Sequence, residues 1–534
     1  MQARRLRCYL ACPVLPGHGV ARQLQLLGWI IYNTLSSRCD IAAVLERRLM
    51  RKGGMMPRSY VILVLAAVLL TSVAFAQTPE PVAIGSNREL FVDGYLIGSL
   101  QGAALRLHAP VTREAVLRYD KPWEGSFCGY NTLINDGEKY MLFYRGLPVA
   151  GADGSENEVT CVALSVDGVH FAKPSLGLYE VHGTRENNVI LADDSPFSHN
   201  LTPFLDANPD AAPAQRFKAV AGTSKTGLHA FISQDGIHWE HLRGEPILSG
   251  GAYDSQNLVF WSKSEQCYVC YFRIFVDGVR SVSRTTSKDF LNWAEATPMT
   301  FGNTPMEHLY TNQTQPYFRA PHIYVATPAR FMPGRKVIPD GMAERMGANT
   351  GYVGDCSDTV FMSTRGGNVY DRTFMESFVR PGFGLENWTS RTNYTCYGII
   401  PTGPATMSFY IQRNYAQPSQ YLQRLELRID GFASINAGYS GGEFITKPLT
   451  FAGKELELNF ATSAAGSVWV ELQQLDGTTI PGFTKDECDE IIGDQIDRVV
   501  SWKGNTDVSA WAGKPVRLRF VMKDADLFAI RFRE

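Results

Sequence analysis

After residue 77 the chain shows almost no helical periodicity. Strand-like runs recur instead, at Lys139–Tyr144, Arg216–Val220, Leu228–Ser233, Tyr268–Arg273, His322–Thr327 and Thr406–Gln412. Apolar residues alternate with polar ones or fill a short run, the pattern of strands with one or both faces covered. Asp-Gly pairs punctuate these runs at 93–94, 136–137, 153–154, 167–168, 235–236, 277–278, 430–431 and 476–477. Between apolar runs such a pair predicts a tight hairpin, because both residues tolerate positive φ. The pattern predicts an all-β protein.

One hairpin repeats. Ser165-Val-Asp-Gly-Val-His-Phe171 recurs as Ser233-Gln-Asp-Gly-Ile-His-Trp239, weakens to Ser287-Lys-Asp-Phe-Leu-Asn-Trp293, and fades to Ser363-Thr-Arg-Gly-Gly-Asn-Val369. The intervals are 68, 54 and 76 residues, long enough for a four-stranded unit each, as in propeller blades. Five blades can be laid out at about 115–172, 186–240, 246–294, 298–371 and 374–428, with the strand around Glu89–Ile97 helping to close the ring. The segment Arg330–Asp358 is a long loop of the kind that often carries function. After Asp430 the repeat stops, and Leu456–Phe460, Ser467–Leu472, Val499–Trp502 and Val516–Met522 alternate cleanly. The prediction is a five-bladed β-propeller over 77–430 followed by a C-terminal β-sandwich over 431–534.

The first 76 residues differ. Tyr60 to Phe75 is an uncharged run behind Arg51, Lys52 and Arg58, and it ends in Ala74-Phe75-Ala76. That reads as a secretory signal peptide over 55–76, with the protein exported to the periplasm or beyond. The run is short for a membrane span, so no stable span is expected after cleavage. Residues 1–54 are Arg-rich, lack alternation and precede a signal that should begin a protein, so they read as a mis-annotated upstream extension. Residues 1–76 hold 10 of the 51 basic and 2 of the 53 acidic residues, leaving the rest at net charge −10. An acidic chain without a basic patch argues against nucleic acid as a partner.

Beyond residue 76 there are seven cysteines, an odd number at scattered spacings and so not a disulfide framework. Cys267 and Cys270 are spaced like a metal or redox pair, but on a strand residues three apart point to opposite faces. Asp524-Ala-Asp526 and Asp486-Glu-Cys-Asp-Glu490 are acidic, yet match no Ca²⁺ loop spacing, so solvated charge is the first reading. No cofactor is expected beyond an optional structural Ca²⁺.

In a propeller the innermost strands begin at one rim of the central funnel, and residues there converge from different blades. The segments leading into the five inner strands are Asp120-Lys-Pro-Trp123-Glu124, Ser198-His199-Asn200, Tyr253-Asp254-Ser-Gln-Asn257, Glu307-His308-Leu-Tyr310-Thr-Asn312 and Arg391-Thr-Asn393-Tyr394. Carboxylates and amides bond hydroxyls, and aromatic faces cover the C–H face of a sugar ring. Such a set suits a carbohydrate, and glycosidic cleavage needs two carboxyl groups.

The stretch Trp123-Glu-Gly…Tyr140-Met-Leu-Phe-Tyr-Arg-Gly146 and the Ser-x-Asp-Gly-x-His-Trp hairpins resemble the five-bladed propeller glycosidases of glycoside hydrolase families 32, 43 and 68. The chain is more similar still to exported bacterial proteins related to the family 32 N-terminal domain, in His199–Asp206, Asp254–Asn257, Glu307–Asn312 and Asp524–Asp526. The resemblance implies glycosidase chemistry at class level only. The family's Trp-x-Asn-Asp-Pro-Asn and Arg-Asp-Pro motifs do not occur, and Glu-Cys occurs only at Glu487-Cys488, in the expected sandwich.

The residues therefore carry the assignment. Asp254, Glu307 and Glu124 are the candidate catalytic carboxylates, with Asp254 as nucleophile or base and Glu307 as acid. Trp123, His199, Asn200, Asn257, His308, Tyr310, Asn312, Arg391 and Asn393 are the candidate substrate-binding residues. A carbohydrate-binding protein without turnover is the alternative. A phosphate-dependent enzyme would need several cations at the funnel, and only Arg391, His199 and His308 qualify by this reading.

Overall fold

A computed structural model describes residues 80–534; the expectations for 1–54 and 55–76 lie outside the described residues. The described chain is all-β, with 46% strand and 4% helix. No helix among the described residues is long and apolar enough to cross a membrane.

Five sheets follow one another along the sequence. The first pairs Gly129–Asn135, Tyr140–Gly146, Val159–Ser165 and Val189–Leu191 in order. The second pairs Thr202–Leu205, Phe217–Thr223, Gly227–Ser233 and Glu240–His241, and the third Leu258–Ser262, Cys267–Val276, Val279–Ser287 and Thr297–Pro298. The fourth is Gln315–Tyr317, Ala320–Ala326 and Met362–Thr364; beside it Ala329–Met332, Cys356–Val360 and Ser377–Val379 form a separate three-stranded sheet. The fifth is Ile400–Pro401, Thr406–Arg413 and Tyr421–Arg428, and its outer strand is Val111–Arg118. That strand precedes the first sheet in sequence, so its pairing with Tyr421–Arg428 ties the end of the series to its beginning. It does so instead of the Glu89–Ile97 segment.

The repeated hairpin has one physical design. In the first copy the Ser165 hydroxyl accepts from the Gly168 amide at 2.9 Å, and Asp167 accepts from the Val169 and His170 amides at 2.8 Å each. Ser233 and Asp235 repeat these bonds, and Ser287 and Asp289 most of them. The carboxylate satisfies amides that the turn withdraws from the ladder. In the fourth copy Arg365 stands where Asp stood, and it pairs with Glu89 and Asp93.

The first strands of the sheets meet one another. Thr132 bridges Tyr397 in parallel. The Gln256 amide donates to the Asn131 carbonyl (3.1 Å) and the Thr132 hydroxyl (2.9 Å), and the Gln313 amide donates to Gln256 (2.8 Å) and the Thr395 carbonyl (2.7 Å). A Cβ on Gly398, whose φ is +129°, would lie 2.4 Å from the Leu133 carbonyl oxygen, so only glycine permits this approach.

A single eight-stranded sheet holds the C-terminal part, built on the paired strands Glu455–Gln473 and Arg517–Arg533. Its apolar interior includes the stacked pairs Phe451–Phe532 and Phe444–Phe520. Arg88–Leu90, Ile97–Gln101 and Ala103–Leu107 are strands of this sheet, although they lie within 77–430. Sequence proximity therefore does not divide the two parts. They share a core in which Leu90, Val92 and Ala529 pack with Tyr317, Phe361 and Phe409.

Candidate functional site

At the end where the inner strands begin lies a narrow cavity. It is lined by Phe127, Gly129, Tyr130, Arg145, Leu147, Ala150, Gly151, Asp153, Tyr310, Tyr352, Arg391, Tyr394, Gln412 and Tyr415. Two of these, Tyr130 and Arg391, have positive φ (52° and 61°), as does the neighbouring Asn393 (69°). Such conformations cost non-glycine residues about 1–3 kcal/mol each and persist where the surroundings fix them. Tyr130 is fixed by its hydroxyl, which donates to the Asp254 carbonyl at 3.2 Å, and by the Arg145 guanidinium over its ring at 4.7 Å.

Cations and tyrosines interleave. The guanidiniums of Arg273, Arg280 and Arg391 lie 4.9, 5.1 and 5.6 Å from the centre of the Tyr310 ring. Tyr394 packs on Tyr310 at 5.3 Å and Tyr352 on Tyr415 at 5.7 Å. Asp254 accepts from Arg273 and from the Ser224 hydroxyl (3.0 Å). Burial would raise its pKa, but the charge and hydrogen bond of Arg273 outweigh that and hold it below the usual aspartate range.

Of the residues expected from sequence, Tyr310 and Arg391 line this cavity. Asp254 lies beside it, joined through Tyr130 and Arg273. His199 is buried behind it: Glu158 holds its Nδ1 at 2.6 Å, its ring meets Tyr130 at 5.4 Å, and Nε2 has no partner, Asp153 being 3.9 Å away. His308 accepts from the Arg280 amide at 3.2 Å.

The other expected residues do structural work. Glu124 is fully buried, bonded by Lys173 (2.6 Å) and the Tyr144 hydroxyl (2.6 Å). Trp123 donates to Asn188 at 3.0 Å within the same core. Asn200 donates to the carbonyls of Gly222, Tyr253 and Ser255, stitching the second sheet to the third. Asn257 bonds the Tyr253 and Ser255 carbonyls, Asn312 caps the Thr314 amide, and Asn393 bonds the Ser357 and Asn387 carbonyls.

Glu307 faces a different cavity, with Arg330, Arg335, Asp358, Arg380, Phe383 and Trp388. Arg330 (3.0 Å) and Arg372 (2.6 Å) occupy its two oxygens, and Arg330 also grips Asp358. A third cavity opens at the far ends of the inner strands, between Leu133–Gly137, Phe204, Trp261, Phe318 and Tyr397–Pro401. Its titratable groups are Asp136, Lys263 and Tyr397, and Asp136 is committed to its own hairpin.

Reading inner-strand approaches alone missed Arg145, Asp153, Tyr352, Tyr415, Arg273 and Arg280. A usable signal is present: three second strands carry an arginine in their later half, as Phe143-Tyr-Arg145, Tyr271-Phe-Arg273 and Ile411-Gln-Arg413. Among the described residues no group of three His, Cys, Asp or Glu side chains could hold a metal. In the C-terminal acid runs, Asp526 accepts from Ser434 and Asn436, Asp489 from Ser501, and Glu487 pairs with Lys503.

No family model matches the chain, and no curated protein does. Similar solved structures include an N-acetylgalactosamine deacetylase from F. plautii, at 13% identity over 61% of this chain and 96% of that one (TM-score 0.40). A β-1,2-mannobiose phosphorylase from Listeria innocua is 10% identical over 59% and 94% (TM-score 0.37). A fructofuranosidase from Schwanniomyces occidentalis is 11% identical over 84% and 98% (TM-score 0.32). All three act on carbohydrates by their names, and at these scores none assigns a family or an activity to this chain.

Proposed function

We propose that the five sheets are the blades of a propeller closed by Val111–Arg118, that the C-terminal sheet folds over as a sandwich, and that the protein is an exported carbohydrate-active enzyme that hydrolyses glycosidic bonds. The observation that carries the reading is the convergence of Tyr130, Tyr310, Tyr352, Tyr394 and Tyr415 with Arg145, Arg391 and Asp153 at one mouth of the ring, with Asp254 alongside. Tyrosine faces suit sugar C–H surfaces and tyrosine hydroxyls suit sugar hydroxyls. Export rests on the signal-like sequence of residues 55–76.

Asp254 is the candidate base or nucleophile, because a carboxyl held below its ordinary pKa is ionised at neutral pH. Asp153 is the cavity-lining carboxylate, with its side chain 56% exposed, and is the candidate partner. Glu307, expected from sequence as the acid, has both oxygens engaged by arginines in another cavity and does not fit that role here. The test is reducing-end release from a polysaccharide panel by the purified protein, Asp254→Asn and Asp153→Asn. Release that both substitutions abolish, with folding intact, supports hydrolysis.

The cavity is lined by one carboxylate against two arginines, which favours a second reading of carbohydrate binding without turnover. Sugar binding without release, surviving both substitutions, selects it.

A further inference from the structure

The charge balance at this cavity is unusual. Most buried arginines elsewhere have carboxylate partners, as Arg88 with Glu457, Arg284 with Glu265 and Arg372 with Glu307; Arg413 instead has both of its partners among amides, Gln423 and Asn393. Among the described residues Arg145, Arg280 and Arg391 have no carboxylate within 4.0 Å. Arg145 is only 6% exposed. Its guanidinium donates to the Phe127 carbonyl (2.9 Å) and the Tyr415 hydroxyl (3.3 Å), lies 3.2 Å from His199 Nδ1, and leaves Nε without a partner. Arg391 donates only to the Tyr352 hydroxyl, at 3.3 Å, and Arg280 Nε is buried and unpartnered. Glu158, at the same His199 Nδ1, acts on Arg145 without pairing with it directly. A desolvated cation without a directly paired counter-charge is costly, and an anionic ligand can supply that charge.

The donors and the space agree. Arg145 and Arg391 line the cavity from opposite ends of the sheet series, and the Tyr394 hydroxyl, also in its lining, has no partner. The narrow part has room for about two waters. That is too small for a sugar ring and of the order of one charged substituent. Asp153 sits at the edge of the cavity and is more than half exposed, so solvent screens it from an anion held between the arginines.

We propose that this cavity is an oxyanion site that takes the acidic substituent, a carboxylate, sulfate or phosphate ester, of the carbohydrate. The oxyanion site stands on the unpaired arginines; its carrier being a sugar rests on the proposed function. Guanidinium forks match planar carboxylates and tetrahedral oxyanions through paired N–H donors. The ring itself would lie outside the narrow part, beside the half-buried Tyr130 and Tyr352.

The test is calorimetric binding to the full protein of a galacturonate oligosaccharide, its neutral galactose counterpart, inorganic sulfate and inorganic phosphate, repeated with Arg391→Met and with Arg280→Met. Thermal melts confirm that each variant folds, and Arg280→Met, which removes a cation stacked on the cavity-lining Tyr310, serves if Arg391→Met does not fold. The expected result is acidic sugar binding about tenfold or more tighter than neutral, with that margin lost in the arginine variants. Arginine-dependent binding of the inorganic ions alone would keep the oxyanion site and remove the carbohydrate reading. Equal, arginine-insensitive binding of neutral and acidic sugar would overturn the oxyanion site and keep the carbohydrate reading. No binding of any anion would also overturn it.

Discussion

Asp430 joins the sheet series to the C-terminal sheet, and removing its charge should loosen both. Its side chain is fully buried. One oxygen accepts from the Tyr317 hydroxyl at 2.7 Å; the other accepts from Arg319 at 2.9 Å and from the Asn459 amide at 2.9 Å, with Arg88 at 3.5 Å. Tyr317 and Arg319 belong to the fourth sheet, Arg88 and Asn459 to the C-terminal one. Asp430→Asn keeps the shape and tolerates the local φ of 64°, but removes the charge that Arg319 and Arg88 face. It also brings an amide donor toward donors. Weakening one charge-assisted bond costs about 1.5–3 kcal/mol. Arg88 keeps Glu457, so the full penalty of about 3–5 kcal/mol for breaking a buried pair is an upper bound. We expect a loss of about 2–4 kcal/mol. Urea unfolding followed by tryptophan fluorescence measures it, since Trp469, Trp502 and Trp511 report the C-terminal part and Trp123, Trp239, Trp261 and Trp293 the sheet series. A change below about 0.5 kcal/mol would refute the buried-hub argument.

Three further outcomes are expected. Glu124→Ala should destabilise by about 2–4 kcal/mol, because it removes the buried acceptor of Lys173 and the Tyr144 hydroxyl, and Lys173 keeps only Asp120 and the Arg118 carbonyl; denaturant unfolding checks it, and sugar binding by the folded fraction should be unchanged. The Asp235 turn holds its carboxyl at about 2, down from 3.8, through local bonds opposed by burial. A depressed aspartate contributes stability above pH 3.8 and loses it as the pH falls toward 2, so the melting temperature should fall over that window, and less in Asp235→Asn. Glu307→Gln should leave any sugar release at the cavity lined by Tyr130 and Arg391 in place, whereas Asp254→Asn should abolish it; initial rates on one substrate separate the two.

Local chemistry explains what the sequence reveals. The Ser-x-Asp turns close within four residues, so Ser165, Ser233 and Ser287 announce their hairpins without distant partners. Tyr310, Arg391 and Asp254 are legible because each lies in a segment that leads into an inner strand. Glu124 shows the limit: beside Trp123 it resembles a site carboxylate, and only Lys173, 49 residues on, reveals it as half of a buried ion pair. Arg145, Tyr352 and Tyr415 meet at one cavity from three distant segments, which no spacing encodes. The strands Arg88–Leu90, Ile97–Gln101 and Ala103–Leu107 likewise depend on partners at 529–531, 443–446 and 433–437, far along the chain.

A crystal structure of the protein soaked with an oligosaccharide that it binds tests the central claim most directly. The account predicts the sugar at the mouth lined by Tyr130, Tyr310 and Arg391, with Asp254 beside it. Sugar bound instead at the opposite mouth, among Trp261, Phe318 and Tyr397, or beside Glu307 and Trp388, would contradict it.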